Sequence, residues 1–244
     1  MDKKMFCFQC EQTAGCSGCT GAAGVCGKDA ETSELQDRLT GALIGLARSA
    51  EGNRTFDSTD RAMLSGLFTT VTNVNFNPET IRKQISLVHR EKEKLVPSCG
   101  GGSSPCGKND DYVMKQLWEE QEDIRSLKSL ILFGLRGMAA YAYHAMVMGY
   151  SDQTVNRFFY EGMASIGYDL PKERLLSLAL KLGEVNLQCM ELLDKANTET
   201  FGNPEPVSVP FKVEKGPFIV ITGHDLYDLK LLLEQTEDKG INIY

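Results

Sequence analysis

Residues 7–26 read CFQCEQTAGCSGCTGAAGVC, and five of the protein's eight cysteines, Cys7, Cys10, Cys16, Cys19 and Cys26, fall in this stretch. The residues before it, MDKKMF, contain no apolar leader or cleavage site, so no secretory signal is expected and a cytoplasmic, reducing location follows. Disulfides are disfavoured there, and thiols packed this densely are expected to hold a metal or a cluster. Two ligand sets compete. Cys7-x2-Cys10 and Cys16-x2-Cys19 could form paired knuckles around zinc, which takes four tetrahedral sulfurs at about 2.3 Å, but the interval between the pairs is short for a zinc ribbon. Cys7, Cys10, Cys19 and Cys26, spaced x2, x8, x6, suit an iron–sulfur cluster better. Gly15, Gly18, Gly21 and Gly24 let the backbone wrap closely around such a group. Unligated thiols are the third reading.

Working outward, Cys99 and Cys106 bracket a Gly/Ser-rich loop, CGGGSSPC, which could be a redox pair or ligand loop but reads more simply as a flexible connection. Cys189 lies in an apolar helical pattern and reads as a small buried hydrophobe. The 244 residues are 42% hydrophobic and 24% charged, which fits a folded globular chain and excludes a rod or wholesale disorder. A net charge of -7 argues against a nucleic-acid binder. Residues 130–148 form the longest apolar stretch, but Arg136 and His144 interrupt it, so it reads as a buried helix and no membrane span is expected.

Six stretches have helical periodicity. Ser33 and Gln36 form a capping-box signature ahead of Leu35, Leu39, Leu43, Leu46 and Ala50. Residues 58–71 follow, and Asn77-Pro78 opens a third helix running to about Leu95. Beyond the glycine loop lie residues 121–148, 152–166 and 172–196. The expected fold is mainly α: a cluster-binding loop over 1–30, then a helical domain over 31–203 made of two three-helix bundles split near 97–110. From residue 204 the character changes. A short apolar run over 218–222, a Gly-His-Asp turn, a helix over 226–236 with Asp225 as its cap, and a second strand over 241–244 form one β-α-β unit. Two parallel strands cannot cover their own faces, so residues 204–244 read as the start of an α/β domain that is cut short.

Among the remaining candidates, His89 reads as a solvated surface residue and His144 as a hydrogen-bonded packing residue. His224 sits at the carboxyl end of a parallel strand, where open α/β sheets place ligands and catalytic groups. Glu31, Glu34 and Asp37 suit the helix dipole, and the acidic run over 119–123 suits a solvated face. No Walker loop, GxGxxG, GxSxG or HExxH is present, which removes the common nucleotide, hydrolase and metalloprotease readings.

Several separated motifs are similar to the hybrid cluster proteins, also called prismane proteins or hydroxylamine reductases: MFCFQCEQT, GVCGK with AETSELQD, TNVNFNPE, LFGLRGMAAYAYHA, VNLQCMELLDKANT and ITGHDLYDLKLLLEQTEDKGINIY. The resemblance spans essentially the whole chain and implies a Rossmann-like identity for the last unit. It implies that Cys7, Cys10, Cys19 and Cys26 bind a [4Fe-4S] cubane, as in one class of the family, or a [2Fe-2S] cluster, as in the other; the x8 spacing resembles the cubane class and the x6 spacing the other. Cys16 is then an extra thiol. It further implies that His224 is a ligand of a second, hybrid iron–sulfur–oxygen cluster. The other ligands of that centre would be glutamates and cysteines on segments beyond Tyr244, so the chain is expected to resemble about half of a full member and to be catalytically incomplete alone. The implied activity is reduction of hydroxylamine, or of nitric oxide in nitrosative stress, with a small nitrogen-oxide substrate, an electron donor protein and the C-terminal half as partners, and neither nucleic acid nor membrane. A relative of the nickel carbon monoxide dehydrogenases and a zinc-binding interaction module stand as alternatives.

Overall fold

The computed structural model describes residues 5–10, 18–53, 55–95, 110–223 and 225–244. The chain forms two compact units, Met1–Leu193 and Asp194–Tyr244.

The first unit is built around α1 (Ala30–Ala50). Its amino end is fixed by Asp29, whose side chain accepts the Thr32 amide at 2.7 Å. The helix therefore begins before the capping box expected at Ser33. Ser33 and Gln36 lie inside it, and their side chains reach outward to the Phe6 and Asn75 carbonyls at 3.1 and 3.0 Å. Burial extends well beyond the apolar stripe, to Thr32, Ser33, Gln36, Thr40, Gly41, Gly45 and Ser49, so α1 is enclosed on nearly every side. The closest approach is at Gly41, which accepts the Tyr112 amide at 3.0 Å. A Cβ there would sit 2.0 Å from the Tyr112 carbonyl oxygen, so only glycine fits.

Around it lie α2 (Asp57–Thr69), α3 (Pro78–Leu95), a short α4 (Met114–Trp118), α5 (Glu122–Val147), α6 (Gln153–Ile166) and α7 (Lys172–Phe201). Pro78 occupies the first position of α3, where its missing N–H costs nothing. Asp152 caps α6 by accepting the Thr154 and Val155 amides. The stripe Leu175, Leu178, Leu182, Val185 and Cys189 buries one face of α7, and Leu182 meets α5 at Gly134. One apolar core runs through α1 to α7, joining helices from both sides of the glycine loop. Among the described residues, α5 alone is long and apolar enough to cross a membrane, and half of its most apolar window is buried in the protein.

The second unit contains β1 (Phe218–Ile219), α8 (Leu226–Thr236) and β2 (Asn242–Ile243). The strands pair in parallel, Phe218 with Asn242 and Ile219 with Ile243. Asp225 caps α8, accepting the Tyr227 amide at 2.9 Å. No residue of α8 is buried. The fold is thus mainly α with one short parallel sheet, as the periodicity predicts; the strands are shorter than the apolar runs that carry them, and α7 extends beyond Ala196.

Candidate metal centre

The cysteine loop is fastened to the helical body from several sides. Cys7 and Cys19 form an antiparallel bridge, the Cys7 amide donating to the Cys19 carbonyl at 3.0 Å and the Cys19 amide to the Cys7 carbonyl at 2.8 Å. Gly18, at φ +102°, makes this return possible, and a Cβ on it would meet the Phe6 ring at 2.8 Å. Phe6 and Phe8 pack edge-on against Trp118 of α4, with ring centroids 6.3 and 5.0 Å apart. Cys26 sits in a tight loop in which the Gly24 amide donates to the Lys28 carbonyl at 2.8 Å and the Gly27 amide to the Gly24 carbonyl at 2.9 Å.

These constraints bring Cys7, Cys10, Cys19 and Cys26 to the walls of one small pocket of about 10 Å³, completed by Gly24, Val25, Lys28 and Thr72. All four are free thiols. Among the described residues, no three His, Cys, Asp or Glu side chains converge as a single ion requires; the four thiols ring a space instead.

Two buried cations stand beside them. Lys28, only 3% exposed, lines the pocket and donates to the Gln36 side chain. Arg136 of α5 is 4% exposed; its Nη1 donates to the Gln9 carbonyl at 2.8 Å and its Nη2 to Thr40 Oγ1 at 2.9 Å. Burial pulls the Arg136 guanidinium down, opposed by the charges of Asp37, Cys7 and Cys10, yet it remains far above neutrality. Asp37 accepts from the Gln9 side chain, and burial of its carboxyl pushes it up to about 7 against the pull of Arg136 and Lys28. Arg136 Nε and Gln9 Oε1 are buried with no hydrogen-bond partner. An iron–sulfur cluster on four thiolates is an anion that needs nearby positive charge when buried, and Lys28 at the pocket wall and Arg136 on the Gln9 carbonyl supply it.

Cys16, Cys99, Cys106 and His224 lie outside the described residues. Cys189 is fully buried, its Sγ 3.6 Å from the Met138 carbonyl, with the thiol pushed up to about 12 by burial, so it is a core residue. The His144 ring packs against Phe68. His89 is more engaged than a solvated residue, since its Nε2 meets Asp111 Oδ2 at 2.8 Å. The acidic run is likewise not only a solvated face, because Glu120 Oε1 takes the buried Lys128 ammonium at 2.8 Å. Asp37, read as a helix-dipole residue, belongs to the cysteine site instead. Arg136 was the available signal: a single arginine in an apolar helix must find a buried partner. Nothing in the sequence marks Lys28 or Gln9.

The model of the Prismane/CO dehydrogenase family matches residues 5–244. The chain belongs to this family. Among its curated relatives are proteins named hydroxylamine reductase from Methanocella arvoryzae (42% identical over 98% of this chain and 49% of the relative), Solidesulfovibrio magneticus (43%, over 98% and 48%) and Syntrophobacter fumaroxidans (44%, over 98% and 48%). The chain spans about half the length of the curated relatives it matches. The family is one of iron–sulfur oxidoreductases.

Proposed function

We propose that the chain carries the electron-relay cluster of a hydroxylamine-reducing enzyme, with Cys7, Cys10, Cys19 and Cys26 holding a [4Fe-4S] cubane. The observation that supports this most is the gathering of these four cysteines, from two ends of a looped segment, around one pocket lined by the buried Lys28, with the buried Arg136 bonded to the Gln9 carbonyl between two of them. Bound there, the cluster supplies single electrons. The chain's own residues do the rest: the Cys7–Cys19 bridge fixes two ligands, and Phe6, Phe8 and Trp118 brace the loop on its body side.

In the whole enzyme, His224 would help to hold a hybrid iron–sulfur–oxygen centre, which would supply the two-electron, two-proton reduction of hydroxylamine to ammonia and water; nitric oxide would be a further substrate. The electrons come from a donor protein, and the enzyme works in the cytoplasm. The 244 residues alone are expected to relay electrons without turning over hydroxylamine. The deciding experiment is iron, acid-labile sulfide and zinc per chain on anaerobically purified protein. About four irons support the cubane and about two the smaller cluster, whereas zinc without iron overturns the redox reading.

A further inference from the structure

The loop between Cys7 and Cys10 is held by two charged side chains, Asp37 on the Gln9 side-chain amide and Arg136 on the Gln9 carbonyl. Arg136 reaches it from the middle of α5, 127 positions away in sequence, through its bond to the Gln9 carbonyl. The guanidinium is sealed from water, braced by Thr40 on one side and lying 6.0 Å from the Phe133 ring centroid on the other. The carbonyl it bonds belongs to the peptide that leads directly into Cys10, which places the charge one peptide from that thiol. The Arg136 Nε–H has no acceptor among the described residues, which leaves a buried donor unpaired. A buried arginine is expensive to keep, and its bonds to Gln9 and Thr40 leave the Nε–H unused. Asp37 stands on the far side of Gln9 as a counter-charge, facing Lys28, Glu34 and Arg136.

We propose that Arg136 sets the reduction potential of the cysteine-bound cluster, its buried positive charge favouring the reduced form and Asp37 moderating it. The inference rests on the cluster reading above. Reduction adds one negative charge to a site enclosed by protein, and a fixed cation beside two of the ligand thiolates stabilises that added charge more than the oxidised state. Removing the cation must therefore lower the potential, and removing the neighbouring anion must raise it. A purely structural role for either residue predicts no such opposite signs.

The test is a redox titration of the anaerobically purified, iron-loaded protein, with dithionite as reductant and the visible absorbance of the cluster as readout. It is run at pH 9, where Asp37 is ionised. Arg136→Met is expected to shift the oxidised-to-reduced balance at least tenfold toward the oxidised form, which is 59 mV for a one-electron couple. Arg136→Lys, which keeps the charge, is expected to recover most of that shift, and Asp37→Asn is expected to move the balance the other way. A smaller shift in Arg136→Met, or shifts of the same sign in Arg136→Met and Asp37→Asn, overturns the proposal. If Arg136→Met does not fold or load iron, Asp37→Asn decides alone: a raised potential supports the proposal and an unchanged or lowered one overturns it. Wild-type protein without iron would sink the cluster reading itself, an outcome separable by metal analysis before any titration.

Discussion

Cys7 and Cys19 exchange both of their backbone hydrogen bonds, at 3.0 and 2.8 Å. Residues paired in this way put their side chains on the same face with Cβ atoms about 5 Å apart, wider than the roughly 3.8 Å of a relaxed disulfide. The bridge therefore holds the two side chains on one face, farther apart than a relaxed disulfide allows.

Cys7→Ser is expected to abolish iron binding and to loosen the loop as far as Cys26, because a ligand and a core contact are lost together. Cys16→Ser is expected to leave iron per chain unchanged. Iron analysis of the two variants checks the ligand set, and loss of iron in Cys16→Ser would show that the set is wrong.

Gly18→Ala places a methyl group 2.8 Å from the Phe6 ring at a backbone φ of +102°. A side chain in that region costs on the order of 1–3 kcal/mol. The variant should load less iron than wild type under limiting iron and lose its cluster faster to a chelator, and equal loss rates would sink this account of the loop.

Asp37 gives the stability a pH dependence of known sign. Burial raises its carboxyl from 3.8 to about 7, so the folded protein keeps a proton that the unfolded chain releases. The contribution is complete below about pH 4 and is lost as the pH rises through 7, amounting to roughly 2 kcal/mol once solvent access at the pocket edge is allowed for. Melting midpoints of Asp37→Asn should be flatter than those of wild type between pH 4 and 7, and parallel profiles would contradict the assignment.

Asp60 accepts from the Tyr160 hydroxyl at 2.7 Å and from the Asn156 amide at 3.1 Å, tying α2 to α6. Asp60→Ala leaves a buried phenol unpaired and should cost about 2 kcal/mol, against a much smaller cost for Asp60→Asn, which keeps an acceptor. Denaturant midpoints of the two variants separate them.

Cys189 illustrates what the sequence made legible. Its place in the 3.6-residue rhythm of α7 predicts burial, and it is fully buried. The same rhythm gives all six long helices and the helix of the β-α-β unit. The start of α1 was misread because Ser33 and Gln36 have the right residue types for a cap, whereas Asp29, nearer the loop, takes the Thr32 amide first. Spacing favours Cys7, Cys10, Cys19 and Cys26, the four thiols that line the pocket, over the paired-knuckle set with Cys16. The sequence marks neither Lys28 nor Gln9 and gives Asp37 only a helix-dipole role, because their surroundings come from contacts across 28 or more positions, as with Gln9 and Asp37, or from burial that no local pattern encodes.

The segment before β1 carries Val207, Val209, Phe211 and Val213 in alternation, exposed by 78, 68, 104 and 69%. As a colloid, this chain is therefore two-faced: its charge of -7 keeps molecules apart while an apolar ribbon invites them together. Added salt weakens the first effect and, with sulfate or phosphate, strengthens the second, so buffer composition governs how long the protein stays dispersed.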